Sequence, residues 1–203
     1  MAPVQTIIFD LGNTLVPFSL APLRAAWQHC GPEAAQLCAE LESGGCSAPR
    51  FRARMGILTG LGAQEFDPWW NAIFEDRWLI PPERIRALGR THRLGLLSNT
   101  NALHFEFLRR TRPLLDEFDF HILSHEVGAI KPEPAIFAAA EAAAGCAPER
   151  ILYFDDVPEF VAAARRRGWQ AVLFTGPGAL ERALEAALAP ARSRPDLSKR
   201  GGA

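Results

Sequence analysis

The run from Val4 to Phe9 is mostly apolar and β-branched, stops at Asp10, and breaks at once into Gly12, Asn13 and Thr14. A run that short reads as a buried strand with Asp10 at its carboxyl end. Comparable runs recur at 93–98, 118–124, 150–155 and 169–174, and stretches of helical spacing lie at about 83–90, 101–111, 133–144, 158–167 and 178–188. This alternation predicts a parallel sheet covered on both faces, its first strand donated from before residue 16. Residues 20–79 break the rhythm with helix-like spacing, four tryptophans (Trp27, Trp69, Trp70, Trp78), glycine punctuation and no convincing strand. They predict an all-helical insertion that exits at Pro81-Pro82. The expected architecture is α/β: a Rossmann-like parallel-sheet core from 1–15 and 82–190, and an inserted helical cap over 16–81. A flexible tail rich in Arg, Ser, Pro and Gly is expected over 191–203.

Composition narrows the partners. With 48% apolar and 22% charged residues among 203, the chain can bury a full core. Its formal net charge is -1 with no basic stripe, which argues against nucleic acid as a partner. No basic leader precedes the first strand and no apolar stretch approaches the roughly 20 residues of a membrane span, so a cytoplasmic protein with no membrane partner is expected. Cys30, Cys38, Cys46 and Cys146 show neither a C-x-x-C pair nor zinc spacing, and read as reduced thiols.

In a parallel sheet all carboxyl ends point one way, so Asp10, Ser98 with Asn99, and Asp155 with Asp156 should converge on one edge. Lys131 joins them from the loop Gly128-Ala129-Ile130-Lys131-Pro132. Of the 22 basic residues only Lys131 and Lys199 are lysine, so this ordered position is an exception to a strong arginine bias. A compact ammonium suits a place between carboxylate and phosphate. Each residue alone has a duller reading: strand-end Asp, Ser-Asn-Thr-Asn and Asp155-Asp156 are all good turn or capping sequences. Together they argue for chemistry, because adjacent carboxylates repel unless a cation or proton intervenes.

Asp10, Ser98-Asn99, Lys131-Pro132 and Asp155-Asp156, in that order, resemble the four motifs of the haloacid dehalogenase superfamily, with the helical insertion where that superfamily places its first-type cap. Phe-Asp-Leu-Gly-Asn-Thr-Leu, Leu-Ser-Asn-Thr-Asn-Ala-Leu-His and Ile-Lys-Pro-Glu-Pro-Ala-Ile-Phe look most like the branch containing α-D-glucose-1-phosphatase and the phosphatase domain of soluble epoxide hydrolase. The resemblance implies a Mg²⁺-dependent phosphatase of small phosphate esters, such as a sugar 1-phosphate, acting as a monomer or homodimer. Asp10 would attack phosphorus and form an aspartyl-phosphate. Mg²⁺ would be held by Asp10, the backbone carbonyl of Gly12, and Asp155 or Asp156. Ser98, Asn99 and Lys131 would hold the phosphoryl oxygens.

Two positions depart from that pattern. Most phosphatases of the superfamily carry a proton-donating Asp two residues after the nucleophile, where this chain has Gly12. They also usually carry Asp or Asn four residues beyond the metal-binding Asp, where, counted from Asp156, this chain has Phe160. The expected consequences are a preference for leaving groups that need little protonation, or a proton from His104 or a cap carboxylate. A haloacid dehalogenase and a degenerate phosphosugar-binding module are the alternatives. Arg24, Arg50, Arg52, Arg54 and the tryptophans are candidate lining groups from the cap.

Overall fold

The computed structural model describes residues 2–188. The tail expected over 191–203, and Lys199 with it, lies outside the described residues. One parallel sheet runs in the order β3-β2-β1-β4-β5, from β1 (Thr6–Phe9), β2 (Arg93–Ser98), β3 (Phe120–Leu123), β4 (Ile151–Asp155) and β5 (Gln170–Leu173). β1 is central, and every residue of β1 and β4 is buried, as continuous apolar strands covered on both faces should be. Side chains alternate across the sheet. Ile7, Phe9, Leu94, Leu96, Leu152 and Phe154 pack on one face against α4 (Pro82–Gly89), α5 (Ala102–Thr111) and α9 (Pro177–Leu188). Ile8, Leu97, Ile151 and Tyr153 pack on the other against α7 (Pro134–Ala144) and α8 (Pro158–Arg166).

The chain between β1 and α4 holds three helices, α1 (Ala21–Glu42), α2 (Ala48–Thr59) and α3 (Ala63–Asn71). They enclose their own core of Leu23, Leu37, Leu41, Phe51, Met55, Phe66 and Trp70, to which Leu103 of α5 contributes. α1 is broken at Gly31, whose left-handed φ of 65° precedes Pro32. Entry and exit segments run side by side: the N–H groups of Ser19, Glu75 and Leu79 donate to the carbonyls of Ile73, Pro17 and Leu15 at 2.9, 3.1 and 2.8 Å. No periodic pattern signals that backbone pairing. After α1, Gly44 at φ 77° lies so close to the carbonyl oxygen of His125 that a Cβ there would collide with it. His125 belongs to a single turn, α6 (Ser124–Val127), also unexpected from sequence.

β3 is shorter than its apolar run because Phe118 closes a 3-10 turn and Asp119 turns back onto β2, accepting from the Leu94 N–H at 2.7 Å. Among the described residues no helix is long and apolar enough to cross a membrane.

Candidate active site

Strand parity and register assemble the polar groups. Phe9 of β1 is opposite Phe154 of β4, so the next residues, Asp10 and Asp155, sit side by side at the carboxyl edge. The Asp10 N–H donates to the Phe154 carbonyl at 2.9 Å and fixes that approach. Both carboxylates project to the face of Ile8 and Tyr153, the face covered by α7. Lys131 comes from the loop just before α7 and therefore enters from that side.

The Lys131 ammonium is buried and fully engaged. Nζ donates to Asp10 Oδ1 at 2.7 Å, Asp155 Oδ2 at 2.6 Å and the Leu97 carbonyl at 3.1 Å. The Tyr153 hydroxyl stands 3.2 Å from it and donates to Asp155 Oδ2, while Asp155 Oδ1 accepts from the Val157 N–H at 2.8 Å. Burial by itself would lower the Lys131 pKa, but the two carboxylates overturn it and leave the ammonium above its ordinary value. Phe160 stands where the resemblance implies Asp or Asn, and its ring centroid lies 4.9 Å from Nζ, a cation–π contact. Tyr153 is a partner that motif reading missed; it is the chain's single tyrosine, two residues before Asp155 on the same strand face.

Asp10, Asp155 and Asp156 can each turn a carboxylate oxygen to within 4.8 Å of the other two. Three carboxylates thus face one ammonium. Burial raises Asp10 above the ordinary carboxylate range, Lys131 pulls it down, and Asp155 and Asp156 push it further up. Burial and the neighbouring Asp155 also raise half-buried Asp156. A site with surplus negative charge and only hard oxygen donors suits Mg²⁺. Asp155 accepts from the Lys131 ammonium, the Tyr153 hydroxyl and the Val157 N–H, whereas half-buried Asp156 accepts, among the described residues, only from the Asn13 side chain and its own backbone, so Asp156 is the less heavily engaged ligand.

Ser98 ends β2 and Asn99 follows it, and both line a cavity of about 190 Å³ together with Gly12. Asn99 also joins two motifs: its Oδ1 accepts from the Lys131 N–H at 2.7 Å and its Nδ2 donates to the Lys131 carbonyl at 3.1 Å. Asn101 takes the capping role open to that segment, its Oδ1 accepting from the His104 N–H at 3.1 Å. Phe18, Phe74 and Glu42 close the cavity from the insertion side. None of Arg24, Arg50, Arg52 and Arg54 lines it. Arg52 is tied to Asp67 at 2.7 Å, and Arg54 pairs with Glu33. Trp70 is core, stacked on the His104 imidazole with centroids 4.8 Å apart.

His104 has no nitrogen to spare. Nδ1 accepts from Asn101 Nδ2 at 3.0 Å, and Nε2–H donates to the Trp70 carbonyl at 3.2 Å. Burial pushes its pKa down to about 4 against the pull of that carbonyl, which keeps it neutral. It is therefore a structural residue with no nitrogen free to deliver a proton. Gly12 is fixed by space: a Cβ there would lie 2.7 Å from Phe18 Cε1 and 3.0 Å from Cδ1.

A parallel sheet whose central strand ends in a carboxylate, with a buried lysine and an acidic pair converging on it, defines a hydrolase class. The chain belongs to the haloacid dehalogenase-like hydrolases, whose family model matches residues 4–168. A D-ribitol-5-phosphate phosphatase of Bacteroides thetaiotaomicron is 30% identical over 171 residues, which cover 75% of this chain and 83% of that protein. A HAD-like family hydrolase from Porphyromonas gingivalis superimposes with a TM-score of 0.75 at 29% identity, covering 90% of this chain and 98% of its own. A HAD family enzyme from Bacteroides thetaiotaomicron, crystallised with magnesium and inorganic phosphate, shares the fold with a TM-score of 0.73 at 24% identity, over 86% and 96% of the two chains.

Proposed function

We propose that this hydrolase is a Mg²⁺-dependent phosphatase of small phosphorylated sugars or sugar alcohols, working through an aspartyl-phosphate on Asp10. The observation that carries the reading is the carboxylate triplet built around the Lys131 ammonium at the end of β1. Asp10 supplies a nucleophilic oxygen that no other side chain needs: Oδ1 is held by Lys131, and Oδ2 remains for phosphorus or metal. Lys131 orients Asp10 and offsets charge on the phosphoryl group, together with Ser98 and the N–H groups that open α5. Tyr153 and Asp155 hold Lys131 in place. Asp10, the Gly12 carbonyl and Asp156 would hold Mg²⁺, with Asp155 beside them. Bound there, Mg²⁺ would offset the phosphate charge and align the ester with Asp10. The helices of 16–81 act as a cap that excludes water and limits substrates to the size of the cavity.

The acidic pair and the similarity to a named sugar-alcohol phosphatase support a phosphate ester over a haloacid. Gly12 favours anomeric esters, whose leaving groups need little protonation, whereas the named relative acts on a primary phosphate ester. The test is phosphate release from sugar 1-phosphates, polyol phosphates and p-nitrophenyl phosphate, with Mg²⁺ and with EDTA. Turnover should require Mg²⁺ and fall at least about 10³-fold in Asp10→Asn. Metal-independent release, or activity surviving in Asp10→Asn, would overturn the reading.

A further inference from the structure

A phosphatase of alkyl esters must protonate its leaving group, and at Gly12 the Phe18 ring fills the space from which the usual donor would act. The proton must then come from another wall of the cavity. Of the residues lining it, only His104 and Glu42 titrate in a useful range, and His104 has both nitrogens committed. Glu42 is the last residue of α1 and lines the same cavity as Gly12, Ser98 and Asn99. Among the described residues its carboxyl makes no ion pair or side-chain hydrogen bond. We propose that Glu42 is the catalytic acid and base of the reaction, supplied by the insertion in place of the missing side chain at position 12. The proposal rests on the phosphatase reading and adds to it the source of the proton.

Three features of the fold support it. The end of α1 is anchored where it must be, because Gly44 packs against the backbone of His125, and His125 Nδ1 lies 3.1 Å from the Thr100 carbonyl beside the cavity. Glu42 also sits at the carbonyl end of a helix, where a carboxylate is electrostatically disfavoured and a neutral acid is not. Although much of the residue is open to solvent, its carboxyl group is screened enough by protein at the cavity mouth to be raised above the ordinary glutamate value by burial. A raised carboxyl is better matched to proton transfer near neutral pH. Its titrating neighbours are the Cys38 thiol, one turn earlier on α1, and His104, which lines the same cavity.

The chemistry balances in two steps. As the Asp10 oxygen forms its bond to phosphorus, the ester P–O bond breaks and the Glu42 proton passes to the departing alkoxide, giving the alcohol, the aspartyl-phosphate and a Glu42 carboxylate. Water then gives its proton to that carboxylate while its oxygen attacks phosphorus. Inorganic phosphate leaves, and Asp10 and protonated Glu42 are restored.

The test compares Glu42→Gln with wild type on two esters by rapid quench, in the presence of Mg²⁺. With p-nitrophenyl phosphate, whose leaving group needs no acid, Glu42→Gln should release one equivalent of p-nitrophenolate in a burst and then turn over slowly, since the base for the second step is gone. With a sugar-alcohol phosphate the first turnover itself should fall about 10²- to 10⁴-fold and no burst should form. Equal losses on both esters in the first turnover, or no loss on either, would overturn the proposal. Should Glu42→Gln fail to fold, Glu42→Asp carries the same comparison, with alkyl turnover expected to fall more than the aryl burst. Absence of Mg²⁺-dependent release by wild type on either ester would instead remove the phosphatase reading, and the proposal with it.

Discussion

At position 12 glycine answers to space and not to backbone conformation, since its φ is not left-handed and the Phe18 ring already occupies the volume a side chain would need. Gly12→Asp on its own should therefore misplace the loop that carries Asp10. Overpacking of this kind costs about 1–3 kcal/mol, and alkyl-ester turnover should fall along with thermal stability. Combined with Phe18→Ala the same aspartate has room, and the double variant should recover alkyl-ester turnover well above Gly12→Asp alone. Steady-state kinetics on one sugar-alcohol phosphate checks the pair, and equal activities in the two variants would show that Phe18 is not the obstacle. His104 illustrates the opposite use of a cavity residue. Burial holds its pKa near 4, whereas the unfolded chain titrates near 6.5. Above pH 6.5 both states are neutral and the stabilisation is whole; as pH falls toward 4 the unfolded state binds the proton first and stability drops, by on the order of 3 kcal/mol. Urea unfolding at pH 7.5 and pH 4 should show that loss in wild type and a correspondingly smaller one in His104→Gln.

Two helices of the insertion end in left-handed glycines that have different work to do. Gly60, closing α2 at φ 73°, has no atom within 4 Å of a would-be Cβ, whereas the Cβ of a residue at 44 would meet the His125 backbone. Gly60→Ala should cost only the left-handed penalty, about 1–2 kcal/mol, and leave turnover near wild type. Gly44→Ala adds a collision to the same penalty, so it should lower the melting temperature further and reduce alkyl-ester turnover by displacing the end of α1 from the cavity. Thermal unfolding and kinetics of the two variants, side by side, separate a loss of stability from a loss of placement. The same contrast marks what could be read in the chain. The strands and the helices on the sheet announce themselves by period, and Tyr153 was within reach because residues i and i+2 of a strand share a face. Glu42, Phe18 and Gly44 matter only through where the insertion lands on the core, and no local pattern encodes that landing. Asn99 and Asn101 show a further limit: both suit a cap, but only Asn101 caps, while Asn99 binds the Lys131 backbone from a loop 32 residues away.

For the molecule as a whole, the formal charge of -1 hides a local excess, three carboxylates against one ammonium at a single sheet edge. Like charges so close repel, and a bound cation would offset that repulsion, so metal binding and stability should be linked. Any ligand that binds only the native state stabilises it by an amount set by its concentration relative to Kd, about 2.7 kcal/mol at one hundred times Kd. For a chain of this size that is roughly 5–10 °C in melting temperature. Wild type should melt higher in Mg²⁺ than in EDTA by that margin. The shift should shrink as pH is lowered, because Asp10 and Asp156 are raised above the ordinary carboxylate range and take up protons in competition with the metal. Asp156→Asn separates the two effects. In EDTA it removes a repelling charge and should melt no lower than wild type, while in Mg²⁺ its shift should largely vanish because the less heavily engaged acid of the pair is gone. A variant that melts lower in EDTA and keeps the full Mg²⁺ shift would place the cation elsewhere and leave Asp156 a structural acid.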